Sequence, residues 1–422
     1  MKGSRAREFG VRHKKREIPA VLWMLALASL INVGGLSLLW PVNSIYIHVR
    51  LLQSMSTVGW VLLVYSGSGF VGSLIGGWLY DRVGPTWTLA GSSVLAAAVI
   101  VIPALDTSFV VYIGVMAAFG LFCAIPFPVL NAIASHAWPE GGRRAFNFLY
   151  VSNNIGVAIG TAIGGLVAAA SFQAVFFGIC IGYLVFVGLT LTLFRRPFLQ
   201  AYRAGRHQRS ATTDRVLQVG DDGDVQNELH APIPWGAVLL VLMGFLCAWS
   251  VYVQWQSTLS VDMQALRYPL AAYSILWTMN GALIFLGQPV ITWVVRRLPV
   301  LTLHMLVGVC LYVFAFGLLL VSHAYIAFVA AMILTTFGEM FAWPSVPAAA
   351  SNLAPPSKAG LLQGLVGGAA TLGRMIGPLY GGYLYDAGGI HSVLLFACSF
   401  LSMPLLLFIV FHFLTKRIVV VV

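Results

Sequence analysis

Twelve apolar stretches, each long enough to cross a lipid bilayer as a helix, follow one another along this chain. They lie near 18–41, 57–80, 86–104, 108–135, 146–170, 172–194, 234–258, 270–295, 301–321, 325–351, 360–385 and 392–414. A bilayer core takes about 20 helical residues per crossing and leaves no backbone group to be satisfied by water. A membrane barrel would instead show short segments of alternating polarity. These runs are continuous, which predicts an all-α integral membrane protein. Only 9% of the 422 residues are charged, against about 25% in an average soluble domain. A soluble enzyme, a disordered chain and a nucleic-acid binder are therefore excluded, even with a net charge of +11.

The basic run Arg12-His13-Lys14-Lys15-Arg16 precedes an apolar stretch from Ile18 to Trp40. That stretch exceeds the roughly 7–15 residues of a signal-peptide core and reads as the first membrane helix. Residues 195–233 are polar, with Arg195, Arg196, Arg203, Arg206 and Arg209 followed by Asp221, Asp222 and Asp224, and cannot bury a core. The predicted organisation is a tail at 1–17, a six-helix bundle at 18–194, a linker at 195–233, a second six-helix bundle at 234–414 and a tail at 415–422. With the N-terminus in the cytoplasm, 21 of the 24 Lys and Arg residues fall on the cytoplasmic side. The positive-inside rule then predicts a multi-pass plasma-membrane protein with both termini cytoplasmic. The positive charge is topological, adds attraction to membrane lipid and implies no nucleic-acid partner. The five cysteines fall inside apolar runs without CxxC spacing and read as packing residues, with no metal site and no cofactor.

The two bundles repeat each other. Phe119-Gly120 and Pro126 recur as Phe337-Gly338 and Pro344. After a one-residue slip, Pro139, Gly156, Gly160, Gly164 and Gly165 match Pro356, Gly373, Gly377, Gly381 and Gly382. Two six-helix halves in the same orientation imply a pseudo-two-fold axis along the membrane normal, as in transporters that rock around a midplane site. Gly156, Gly160 and Gly164 share one helix face, as do Gly373, Gly377 and Gly381. Small residues at this spacing bring helix backbones close together in lipid. They serve either static packing or sliding contacts between the halves.

Between the second and third helices the chain reads Gly76-Gly77-Trp78-Leu79-Tyr80-Asp81-Arg82-Val83-Gly84-Pro85. This resembles the G-x-L-x-D-R-x-G signature of the major facilitator superfamily, carried here by Gly77, Asp81, Arg82 and Gly84. The resemblance implies a twelve-helix, two-bundle fold and rocker-switch alternating access. In the family, the aspartate meets the N-terminus of a helix from the other half, here the eleventh helix near Gly360, and holds one conformational state. Gly156-Val-Ala-Ile-Gly160-Thr161-Ala-Ile-Gly164-Gly165 is similar to a motif of drug antiporters, with Thr161 where that motif has proline. Asn43-Ser44-Ile45-Tyr46-Ile47 and Phe337-Gly338-Glu339 resemble the LmrP-like multidrug exporters, a drug:proton antiporter branch. The arginine that many such antiporters carry in the fourth helix is absent, where this chain has Ala117-Ala118-Phe119-Gly120.

Two charges lie near mid-bilayer, Glu339 and Arg374. A charge at a helix centre costs about 2.5–3.5 kcal/mol on insertion scales, so each should face a cavity or a partner. Low dielectric favours a protonated carboxyl, which makes Glu339 the candidate for proton coupling or cation binding. A structural ion pair between Glu339 and Arg374 is the alternative, and the two roles could alternate in a cycle with both residues taking part in proton coupling; direct anion binding by Arg374 is a weaker reading. Helical spacing sketches a substrate cavity from Asn32, Asn43 and Tyr46; Trp249, Tyr252 and Gln256; Trp277 and Asn280; and Thr336 and Trp343 beside Glu339. An aromatic lining with one acid suits a lipophilic cation, although aromatics of this kind also face lipid or form interfacial belts. Asp262 and Arg267 read as a solvated pair and Asp386 as interfacial. The expectation is a monomeric secondary-active exporter of amphipathic or cationic small molecules, driven by protons. The rival is a facilitator carrying a sugar, an amino acid or a lipid-linked metabolite. No nucleotide-binding GxxxxGK[ST] loop or hydrolase constellation is present, so an enzyme is not expected.

Overall fold

The computed structural model describes residues 19–40, 42–138, 143–193, 233–353 and 358–415. The predicted tails and linker, and the Pro139–Pro356 match, lie outside the described residues, apart from a few at their edges. The membrane helices are α1 (Ala20–Ser37), α2 (Met55–Val83), α3 (Pro85–Leu105), α4 (Phe109–Ala124, continued by Pro126–Ala137), α5 (Arg143–Ala170) and α6 (Phe172–Leu193). After the linker come α7 (Trp235–Tyr252), α8 (Leu270–Arg297), α9 (Leu301–Val321) and α10 (Tyr325–Asn352). A final apolar segment, Gly360–Thr415, is 56 residues long, enough for two crossings. It breaks at Gly388 and at Gly389, whose φ of +66° is open to glycine without strain. The two parts are α11 (359–387) and α12 (390–415). Every crossing predicted from the apolar runs is thus present. Below, the side where α1 begins and α12 ends is the terminal side and the opposite one the far side.

The glycine stripes do their packing within each half. A Cβ on Gly156, Gly160 or Gly164 would meet backbone of Leu30, Gly34 or Leu38 on α1. On α11, Gly373 and Gly377 stand in the same way against Leu246 and Ser250 of α7, and Gly381 meets the Gln254 side chain just beyond it. The fourth glycine of each set does something different. Gly165 abuts Ser274 of α8, and Gly382 abuts Met55 of α2, so each joins one half to the other. This is the pseudo-two-fold repeat expressed in contacts: α1·α5 with α7·α11, and α5·α8 with α11·α2. Among these glycines, the contacts between the halves are thus made by Gly165 and Gly382, next to the stripes and not by the stripes themselves. We predict that Gly160→Val, which drives a side chain into the α1 backbone, destabilises the protein by about 1–3 kcal/mol or prevents folding. Gly114→Val, with open space at its Cβ position, leaves stability unchanged. Thermal melting of purified protein, read by size-exclusion chromatography, compares the two.

On the far side the halves are closed against each other. Ser44 donates to the Gln256 carbonyl at 2.9 Å, and Trp60 Nε1 donates to Tyr383 Oη at 3.0 Å. Asp386, at the end of α11, accepts from the backbone N–H groups of Met55 and Ser56 at 2.9 and 2.7 Å. A carboxylate at a helix N-terminus satisfies orphan donors and the helix dipole together. Asp386 is therefore an inter-half cap on α2, which corrects its assignment as merely interfacial. On the terminal side, Asp81 and Arg82 are exposed, and Gly360, Gly364, Gly367 and Gly368 of α11 have nothing within 4 Å of their Cβ positions. Gly84 makes the turn into α3 at φ +89°, with Pro85 as the first helical residue. Arg82 lies over Trp78 at 4.8 Å, and the expected meeting of Asp81 with the start of α11 is not made among the described residues. Among the described residues, no side-chain hydrogen bond joins the two halves on the terminal side.

Two further expectations change. The seventh predicted helix continues to 258, whereas α7 ends at Tyr252 and passes through a tight turn at Val253–Trp255 into a separate helix, Thr258–Ala265. Tyr273 Oη pins the turn by donating to the Trp255 carbonyl at 2.7 Å. Asp262 belongs to that short helix and is buried, while Arg267 is exposed, so they are no solvated pair.

Candidate functional site

Glu339 sits near the middle of α10, on a face where Thr335, Thr336 and Met340 are also buried. It is 8% exposed. Its Oε2 accepts from Tyr252 Oη of α7 at 2.9 Å and from Asn280 Nδ2 of α8 at 3.2 Å. Asn280 also donates to Thr336 Oγ1 at 2.9 Å, and Thr336 closes the chain on the Met332 carbonyl. Three helices of the C-terminal half thus hold one carboxyl with neutral donors. The predicted grouping of Glu339 with Tyr252, Asn280 and Thr336 is therefore a real cluster.

Aromatic rings enclose it. Trp249 and Trp343 stack at 4.7 Å with planes 9° apart. Tyr252 stands edge-on to Trp343 at 5.6 Å and to Trp277 at 6.3 Å, and Tyr312 of α9 closes the group. Tyr252 and Trp277 are buried, whereas Trp249 and Trp343 are half-buried. Offset stacking and edge-on contacts are the arrangements that the ring quadrupole favours, so the box is a rigid apolar wall.

Arg374 does not pair with Glu339; no ion pair joins them among the described residues. Its guanidinium lies 4.8 Å above the Trp249 ring and donates to Thr371 Oγ1 at 3.2 Å. It is exposed although halfway along a membrane helix. On α11, five exposed apolar side chains, Leu361, Leu365, Leu372, Ile376 and Tyr383, fall within an arc of about 60° at 3.6 residues per turn. Arg374 points the opposite way, into the space between the halves. From the other half, Tyr65 of α2 is within electrostatic reach of Arg374, and Tyr150 of α5 within reach of Glu339. Arg374 and the half-buried Trp249 and Trp343 are the parts of the cluster left uncovered. The exposed charge is Arg374, while the carboxyl expected to meet a cation is largely covered.

Other expected lining residues lie elsewhere. α1 ends at Ser37, ahead of Pro41, so the register carrying Asn43 and Tyr46 onto the face of Asn32 is lost. Asn43 accepts from Tyr112 Oη at 2.7 Å, and Tyr46 packs within 5.1 Å of Tyr112 and Phe176, both inside the N-terminal half. Asn32 is buried with its Nδ2 unpartnered. Gln256 lies past α7, its carbonyl engaged in the far-side closure. Asn153 accepts from Ser29 of α1, and Asn154 donates to the Tyr150 carbonyl.

Sequence reasoning missed Tyr150, Tyr65, Tyr312 and Gln254. Tyr150 and Asn154 are four residues apart on a face of α5 away from its glycine stripe, a polar spacing that marks an inward face. Gln254 is fully buried, donates to the carbonyls of Ser250 and Gly377, and accepts from Ser257 and Thr258. Its signal was a polar set, Ser250, Gln254, Ser257 and Thr258, at helical spacing within an apolar run.

Comparison with known proteins agrees with this architecture. The family model described as Major Facilitator Superfamily matches residues 25–360 and 263–419. The MFS-type transporter YttB of Bacillus subtilis is 36% identical over 383 residues, covering 90% of this chain and 91% of that protein. The multidrug efflux protein YfmO of Bacillus subtilis is 25% identical over 182 residues, 43% of this chain and 45% of that one. A crystal structure of the peptide transporter POT superposes with a TM-score of 0.73 at 14% identity over 95% of both chains, which shows the shared fold. Twelve crossings, a repeat that reappears as paired helix contacts, and a family match across nearly the whole length lead to one conclusion: the chain belongs to the Major Facilitator Superfamily.

Proposed function

We propose that this secondary transporter exports amphipathic compounds in exchange for protons, with Glu339 as the group that carries the proton. One observation carries the reading. Glu339 is an acidic side chain midway along a membrane-crossing helix, and it is held by a phenol and an amide instead of a cation. A buried carboxylate paired to arginine is locked in its charged form, whereas one held by neutral donors can take a proton at little cost in contacts. Tyr252 Oη serves either state, donating to the carboxylate or accepting from the acid. The aromatic box supplies the apolar contact that amphipathic cargo needs, and the similarity to YfmO, named a multidrug efflux protein, supports the export branch.

With both termini in the cytoplasm of a plasma-membrane protein, as the distribution of basic residues supports, the terminal side receives cargo from within the cell. The exposed Asp81 is then the family's contact in its released state, and Asp386 is its counterpart in the engaged one. Rocking the halves exchanges one for the other, with the monomer as the working unit.

The test is transport by reconstituted protein under an imposed proton gradient. The probes are two fluorescent amphiphiles of fixed and opposite charge, ethidium and naphthalenesulfonate. Accumulation of either against its own gradient, stopped by a protonophore, is the expected result. Movement that only follows the probe's own gradient and ignores the protonophore overturns proton exchange and favours the metabolite facilitator.

A further inference from the structure

We infer that Arg374 is the site for an anionic group on the cargo, so that the transported compounds are acidic amphiphiles: a carboxylate, sulfonate or phosphate attached to an aromatic or apolar body. The inference narrows the transport reading above and rests on it for the claim that the bound compound is cargo.

Arg374 has donors without acceptors among the described residues. A guanidinium over a ring uses its face for the cation–π contact and keeps its N–H groups in the plane of its edge. Arg374 spends one such group on Thr371, and no carboxylate pairs with it among the described residues. The indole N–H groups of Trp249 and Trp343 are buried without a hydrogen-bond partner. A lipophilic cation therefore meets an exposed positive charge. Glu339, the group that would attract it, is largely covered and already accepts two hydrogen bonds on Oε2.

An acidic amphiphile meets the opposite situation. Its oxygens supply the acceptors that the guanidinium edge lacks, in the forked geometry that suits carboxylate, sulfonate and phosphate alike. Its apolar body has the Trp249–Trp343 stack beside the same guanidinium. Gly367, two turns away on the same face of α11 as Arg374, also has nothing within 4 Å of its Cβ position. The two mid-membrane charges then have separate tasks, Arg374 for cargo and Glu339 for the proton, in agreement with their lack of contact.

The test is binding without any gradient, so it does not depend on coupling. Naphthoate, naphthylmethylammonium and naphthalenemethanol present one ring with a negative, a positive and no charge. Binding to purified protein is followed by intrinsic tryptophan fluorescence and by thermal shift. The inference expects naphthoate to bind at least about tenfold tighter than the ammonium, a difference of about 1.4 kcal/mol. Arg374→Gln should remove that preference and leave the alcohol's affinity unchanged, and Arg374→Lys should restore part of it. Preference for the ammonium, equal affinities, no binding of naphthoate, or naphthoate binding undiminished in Arg374→Gln overturns it. Failure of proton drive in the reconstituted system, with the naphthoate preference intact, would instead count against the role of Glu339 alone.

Discussion

Glu339→Gln is expected to abolish proton-driven transport while leaving a folded protein that still exchanges bound probe across the membrane. Glutamine has the shape of glutamate, and its amide oxygen can accept from Tyr252 and Asn280 as the carboxylate does. It cannot take or release a proton. Glutamine carries no charge, so the substitution adds no cost of placing charge in mid-membrane, and the variant has no reason to unfold. The measurement pairs two assays on the same proteoliposomes. Accumulation under a proton gradient should fall to the level of empty liposomes, whereas counterflow of labelled against unlabelled probe, which needs only alternating access, should persist. Loss of both, with a lowered melting temperature, would mean that the carboxyl is structural. Drive that survives in the variant would move coupling away from α10.

Asp386→Ala should open the far side. The carboxylate accepts two backbone N–H groups at the start of α2, and those bonds exist only while α11 of one half meets α2 of the other. Bonds of this kind to a charged group contribute about 1.5–3 kcal/mol each, less where water competes. A net loss of about 2 kcal/mol shifts the ratio of open to closed far-side states by roughly 30-fold. The helix itself should survive, because Ser54 Oγ accepts from the Thr57 N–H and caps α2 independently. The variant is thus a conformational mutant, not a folding mutant. A cysteine at Leu379, whose backbone packs against Gly59 in the closed state, reports the change in a background without other cysteines. Its labelling by an impermeant thiol reagent should accelerate in Asp386→Ala and less so in Asp386→Asn, which keeps an acceptor but loses the charge. An unchanged labelling rate would show that the helix and glycine contacts alone hold the far side shut.

These two residues illustrate what sequence could and could not reveal. Glu339 was legible because a carboxylate near the centre of an apolar run is costly, and cost at a fixed depth is a local property. Asp386 is preceded by Leu384-Tyr385, which echoes Leu79-Tyr80 before Asp81, yet nothing local distinguishes a capping carboxylate from a solvated one. Its donors are 331 and 330 positions away. The glycine stripes show the same division. Their spacing announced close helix approach, but the adjacent pairs Gly164-Gly165 and Gly381-Gly382 point to different neighbours. Asn43 and Tyr46 lie off the helical face of Asn32 for a geometric reason. A helical register can be extrapolated only while the helix continues, and α1 ends before them.

The sequence by itself determined the number, order and boundaries of most of the crossings, the internal repeat, and the two charges placed in the membrane. Lipid imposes its demands on each segment separately, so length, apolarity and the cost of a buried charge can be read one helix at a time. Only the tertiary structure decided that Glu339 rests on neutral donors, that Arg374 lies over Trp249 instead of pairing with Glu339, and that the halves close on the far side through Asp386. Each of these depends on which helix faces are brought together. In a bundle where nearly every face is apolar, that choice is made by close backbone contact and by a few long-range hydrogen bonds, which hydropathy does not encode.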